Sequence, residues 1–178
     1  MTLENPSNTL RRLFCGLTEN TFQVHLGVAD TRLVDYVSDL LVRFVRQDAL
    51  EAIRSITGQK LRSITAMAAE AELRVGEARR QVHRHIGDYA LFWTGFFPEA
   101  LRQQPGIVTA DRYTDFLVHG KRSYYIASTI EPVDPNEPPG EVLERLSEEF
   151  ELCAEGLHEI RRELERSDDE GITPLGLG

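Results

Sequence analysis

The sequence predicts an all-α protein, a single-domain helical bundle of about five to seven helices. Leu61, Ile64, Ala68, Ala71, Val75, Ala78, Val82, Ile86, Tyr89, Trp93 and Phe96 recur at steps of three and four, which puts them on one face of a helix. A second repeat of the same kind, Val142, Leu146, Phe150, Cys153, Leu157, Ile160 and Leu164, lies near the C-terminus. No alternating segment is long enough to demand a strand, and no repeat of domain-building length is visible.

Taken in order, Asn8 or Thr9 can open a short helix through Phe14. Thr18 has the character of an N-cap for a second helix carrying Phe22 and Leu26, stopped by Gly27. Asp30 then caps a longer helix whose buried stripe is Leu33, Val37, Leu40, Leu41 and Phe44, ending near Asp48. Residues 49–58 read as a connection or short helix closed by Gly58, after which the central element runs over 59–97 as one bent helix or two, with Gly76 and Gly87 as candidate breaks. Pro98 starts a short helix to Gln103. Thr109 or Asp111 opens the next, with Tyr113, Phe116, Leu117, Gly120, Tyr124 and Ala127 on its inner face; Gly120 there implies close approach of a neighbouring helix. The proline-rich stretch 131–140 is a loop, and a long helix over 140–166 follows. The single domain is expected over 1–167, with 168–178 a flexible tail.

A chain of 178 residues with 41% hydrophobic and 28% charged side chains can bury a core of its own without a staple. Its two cysteines, Cys15 and Cys153, form no disulfide framework or metal spacing and suit a reducing compartment. The opening MTLENPSNTL lacks a basic n-region and an apolar h-region, and no apolar run can span a bilayer, so a cytoplasmic, membrane-free protein is expected. Residues 141–170 hold twelve acidic and four basic side chains of a chain whose net charge is −9. That end would repel a polyanion and no basic tract occurs elsewhere, so nucleic acid is not an expected partner. The cluster Arg79, Arg80 and Arg84 reads as a solvated helix face paired with Glu77 and similar groups.

The candidate chemistry centres on His83, His85 and Asp88. His85 and Asp88 share a helical face and could form a carboxylate–imidazole pair or bind one metal, with Tyr89 beside them. His83 points about 200° away from His85 and does not join them. A site there needs a partner such as His119 or Lys121 from another helix; the competing reading is a hydrogen-bonded boundary histidine. Glu155 and His158 form only half of a di-iron signature, and His158 lies off the buried stripe. There is no nucleophile elbow and no glycine-rich phosphate loop; the run Gly120, Lys121, Arg122, Ser123 falls within a helix, where its cations are solvated charges or could meet an anion. No cofactor is called for.

The segment LFWTGFF gathers Phe92, Trp93, Phe96 and Phe97. These rings are core, or else line a pocket or an interface. Together, YVSDLLVRFVR, RHIGDYALFWTGFFPEAL and GKRSYYIAS ahead of a long C-terminal helix resemble an uncharacterised family of bacterial all-helical proteins. The resemblance implies a bacterial cytoplasmic origin and a helical fold, and carries no activity. The expectation is a non-enzymatic helical interaction or scaffold domain, acting as a homo-oligomer or with a protein partner, through the last helix or the LFWTGFF surface. The alternative is a small-molecule- or metal-binding protein or enzyme with a site near His85 and Asp88.

Overall fold

A computed structural model describes residues 6–46, 63–102 and 109–169. Among them every regular element is helical, as the periodicity requires. The first helix, α1 (Pro6–Glu19), starts on a proline whose missing N–H costs nothing in a first turn. Thr18 does not cap a new helix: its hydroxyl donates to the Phe14 carbonyl at 2.6 Å, and the chain continues directly into a π-helical segment, Asn20–His25. The extra residue of the π turn has a packing reason. Phe22 is fully buried with its ring over Gly156, where a Cβ would collide with it. Gly27, at φ +68°, then releases the chain in the left-handed conformation that glycine tolerates.

Asp30 caps α2 (Thr31–Val45), its carboxylate accepting from the Arg32 backbone N–H at 3.0 Å. The stripe Leu33, Val37, Leu40, Leu41 and Phe44 is buried throughout, each side chain contributing about 1.5–3 kcal/mol of transfer free energy. Asp48 and the expected connection or short helix over 49–58 lie outside the described residues.

The central element is two helices. Ser63 caps α3 (Ile64–Glu72), and α4 (Gly76–Phe96) begins after a break at 73–75. Gly76 makes the break at φ +58°. Gly87 does not, because it is needed inside the helix: a Cβ there would come within 2.6 Å of the Tyr124 ring. The break ends the apolar stripe locally, leaving Leu73 at 66% and Val75 at 84% exposure.

Beyond Phe97, the short α5 (Pro98–Arg102) leads towards α6 (Thr109–Ser128). α6 runs antiparallel to α4, so that Gly120 faces Ala90 and Tyr124 faces Gly87. Gly120 does permit close approach, since a Cβ would meet the Phe150 ring at 2.7 Å and Ala90 Cβ at 2.8 Å. The proline-rich loop precedes α7 (Gly140–Glu148) and α8 (Phe150–Asp169). The C-terminal helix expected over 140–166 is therefore broken at Glu149, whose φ of −103° and ψ of 27° turn the axis. One straight stripe cannot serve two differently oriented neighbours: α7 packs mainly on α6, and α8 on α4. The stripe itself, from Leu146 through Ile160, is buried inside the subunit. α4 is the hub, touching α2, α3, α5, α6 and α8.

These close approaches set a contrast measurable by chemical denaturation. Gly95→Ala puts a Cβ within 2.7 Å of Leu157 Cβ and 2.9 Å of the Ala154 carbonyl oxygen, and should cost about 1–3 kcal/mol by overpacking. Gly16→Ala in α1 meets nothing within 4 Å and should be neutral or stabilise by up to about 1 kcal/mol through helix propensity.

Candidate functional site

Asp88 sits near the middle of α4, 1% exposed. Tyr36 of α2 donates its hydroxyl to Oδ1 at 2.5 Å, and Tyr124 of α6 donates to the same oxygen at 2.7 Å. Arg43 Nη1 donates to Oδ2 at 3.0 Å, with Arg84 Nε 4.0 Å from that oxygen. Burial alone would push the carboxyl pKa up. The adjacent charges of Arg43 and Arg84 and the two phenol hydrogen bonds outweigh it and hold Asp88 below the usual carboxylate range. Burial, and then the Asp88 charge, push both phenols well above theirs. Asp88 is thus an ion with its lone pairs committed, and the tyrosines are donors rather than nucleophiles.

Arg84 continues the network outward, donating from Nε to Tyr36 Oη at 3.1 Å and from Nη1 to Glu137 Oε2 at 2.5 Å. Its guanidinium lies 5.4 Å from the Tyr36 ring centroid, in cation–π range. One turn earlier, Arg80 is fully buried and donates to the Ile130 carbonyl at 2.9 Å and the Pro138 carbonyl at 2.5 Å. The expected solvated face is thereby corrected for Arg80 and Arg84. Arg80, Arg84 and Asp88 stand at steps of four on one face of α4, and that face meets α2 and a proline-rich loop whose carbonyls need donors.

The histidines are sorted differently from the sequence expectation. His85 is 7% exposed and stacks on Phe44, with centroids 6.0 Å apart. It makes no hydrogen bond to Asp88, and its Nε2 is buried without a partner. His119 does not approach it. Instead His119 lines a cavity of about 210 Å³ with His83 and Ser123, between α3, α4 and α6. His83 is 4% exposed, with Nδ1 3.3 Å from Ser123 Oγ and Nε2 unpartnered. Burial lowers both imidazoles to about 4. For His83 the charge of Arg79, and then of Arg122, adds to burial while Glu72 opposes it; for His85, Asp88 opposes burial, and Arg43 and Arg84 add to it. Lys121 is engaged at the surface with Glu151 at 2.8 Å. Among the described residues no group of three or more His, Cys, Asp or Glu side chains could hold a metal ion. Burial pushes the Cys153 thiol up to about 12, which removes it as a nucleophile.

The aromatic segment is mostly interior. Phe92 and Phe96 are at most 3% exposed and stack at 5.4 Å, with Phe44 on the far side of Phe92 at 5.0 Å. Trp93 and Phe97 are half-buried and pack on these rings and on each other. Comparison with protein-family models, with curated proteins and with solved structures finds no match for this chain. Among the described residues no helix is long and apolar enough to cross a membrane.

Of the network, sequence reasoning singled out Asp88 alone as a site residue. Tyr36, Arg43, Tyr124 and Glu137 were not anticipated in it. The one usable signal was the four-residue spacing of Arg80, Arg84 and Asp88, which is incompatible with an outward arginine and an inward aspartate on the same line.

Two outcomes follow for stability. Asp88→Asn removes the carboxylate that Arg43 and Arg84 share, while Arg43 keeps Asp39 at 3.3 Å and Arg84 keeps Glu137, and should cost about 1–3 kcal/mol by urea denaturation. Tyr124→Phe removes one of two phenol donors and should cost about 1–3 kcal/mol. The histidines act on pH dependence. Both bind protons near 4 when folded, against 6.5 ordinarily. The unfolded chain therefore takes up protons first as the pH falls, so stability is greatest above about 6.5 and declines towards 4. His85→Phe should preserve the stack on Phe44 and flatten the fall in urea midpoint between neutral and mildly acidic buffer.

Proposed function

We propose that this chain is a non-enzymatic helical interaction domain that acts as a homodimer. The observation that carries the reading is a set of exposed apolar side chains gathered at one end of the bundle. Leu73, Val75 and Val133 are 66%, 84% and 80% exposed. The break before α4 presents the first two. Val133 is tied to the start of α4, its backbone N–H donating to Glu77 Oε2 at 3.1 Å. Tyr125, 55% exposed, stands on the last turns of α6 towards the same end.

An exposed apolar group rimmed by charge is the usual mark of an interaction surface. The rim here carries both signs: Glu72 and Arg79 on one side, paired at 3.5 Å, and Glu131 and Asp134 in the loop. A two-fold interface brings each patch against its own copy and so needs both signs within one patch. Of the surfaces first expected to serve this role, Phe92, Phe96 and the α8 stripe belong to the core, while Trp93 and Phe97 are half-buried. The non-enzymatic part of the reading is supported by the commitment of Asp88 to four neighbours.

Light scattering and native mass spectrometry test this directly. The native chain should be a dimer at micromolar concentration. Val75→Asp combined with Val133→Asp should give a monomer with unchanged helical circular dichroism, because both positions are exposed and contribute little to the fold. A native monomer, or a double variant that remains dimeric, would overturn the reading.

A further inference from the structure

A cavity between α3, α4 and α6 lies apart from the Asp88 network. α3 packs chiefly on α4, and a space of about 210 Å³ remains where it passes α6. That is below the roughly 300 Å³ at which pockets for drug-sized ligands begin, so any occupant is small. Ala68 and Ala69 of α3 and Ile126 of α6 supply an apolar wall.

The polar side of the cavity is His83, Ser123 and Arg122. His83 and Ser123 are both 4% exposed and face one another at 3.3 Å. Either tautomer leaves His83 Nε2 with an unmet requirement. If Ser123 donates to Nδ1, Nε2 carries a hydrogen with no acceptor; if Nδ1 donates to Ser123, Nε2 is an acceptor with no donor. A buried polar atom left in this state is destabilising, so one on a side chain that lines a cavity calls for an explanation. Charge decides which partner suits it. Glu72 lines the rim and is paired with Arg79 at 3.5 Å, so those two charges offset. Arg122, exposed and on the same rim, has no carboxylate within ion-pair distance among the described residues. The cavity therefore carries one surplus positive charge within a chain of net charge −9.

We propose that this cavity binds a small monocarboxylate with an apolar body, its carboxylate on Arg122 and the His83–Ser123 pair and its hydrocarbon against Ala68, Ala69 and Ile126. A planar carboxylate matches the fork of a guanidinium and accepts from the Ser123 hydroxyl in the tautomer where Nδ1 donates to Ser123. His83 is neutral at physiological pH because burial, and then Arg79, disfavour its proton. The charge that selects the anion is therefore that of Arg122, and His119, which also lines the cavity, lies within reach as a further polar contact.

Isothermal titration calorimetry of the full chain at low ionic strength, with butyrate, hexanoate and octanoate and the corresponding neutral amides, tests the proposal. At least one acid should bind once per chain while its amide does not. Arg122→Gln should weaken that binding by about tenfold or more, the loss of one charge-assisted hydrogen bond. Ala69→Phe, which enlarges an exposed side chain on the rim, should abolish it. Both positions are exposed, so circular dichroism and melting temperature should match the native chain. Absence of binding at millimolar concentrations, equal binding of acids and amides, or binding unaffected by both substitutions would overturn the proposal.

Discussion

A carboxylate held ionised inside a helical core constrains everything around it. Removing Asp88 from water costs several kcal/mol, and the compensation comes from three helices: Tyr36 and Arg43 on α2, Tyr124 on α6 and Arg84 on α4 itself. Each partner meets the carboxylate only if its helix has one register. Sliding α2 by a single turn of about 5.4 Å would carry both Tyr36 and Arg43 out of reach. Apolar side chains tolerate such slippage better, because burial is non-directional. The network therefore selects one packing among those that Leu33, Val37 and Leu40 would accept. Through Arg84 and Arg80 the same constraint reaches Glu137 and the Ile130 and Pro138 carbonyls, so the proline-rich loop is tied to α4 by the same face.

Adjacent residues cooperate in seating Tyr124. Gly87 supplies the space for its ring, and Asp88, the next residue, supplies the acceptor for its hydroxyl. Gly120 works alongside, since it lets α6 approach Ala90 closely and leaves room for Phe150 beneath. These glycines sit in regular helix, where they lower intrinsic propensity. The contacts they allow are why α4 continues through Gly87 and breaks only at Gly76.

Local chemistry was readable where it depended on near neighbours. The α2 stripe, the Asp30 cap, the left-handed Gly27 and the close approach at Gly120 all follow from spacing or from a single side chain. Three features were not readable in this way. The π turn at Asn20–His25 accompanies the seating of Phe22 against Gly156, and the turn at Glu149 separates α7 from α8, which pack on different helices; both are tertiary features with no local signature. The site was legible only in part: Asp88 was found, but its partners lie 36, 45 and 52 residues away, and periodicity within one helix says nothing about such pairs. His83 and His119 were placed apart from one another for the same reason, and only the crossing of α4 and α6 brings them to one cavity.

Beyond Gln81, α4 is buried on nearly every side and has little solvent face on which to place polar residues, with two consequences. On the line facing α2 and the loop, Arg80, Arg84 and Asp88 find partners and become determinants of register. On other faces His83, His85 and Trp93 keep a buried nitrogen unpaired, at about 1–3 kcal/mol each by the usual cost of an unsatisfied group. The two imidazoles have different surroundings. His85 is enclosed by Phe44 and Tyr89, an aromatic setting in which a phenylalanine would serve the packing equally well. His83 borders open space beside a hydroxyl and a guanidinium. Packing alone therefore accounts for a ring at position 85, whereas at position 83 the polar atoms of the imidazole are the part that packing leaves unexplained.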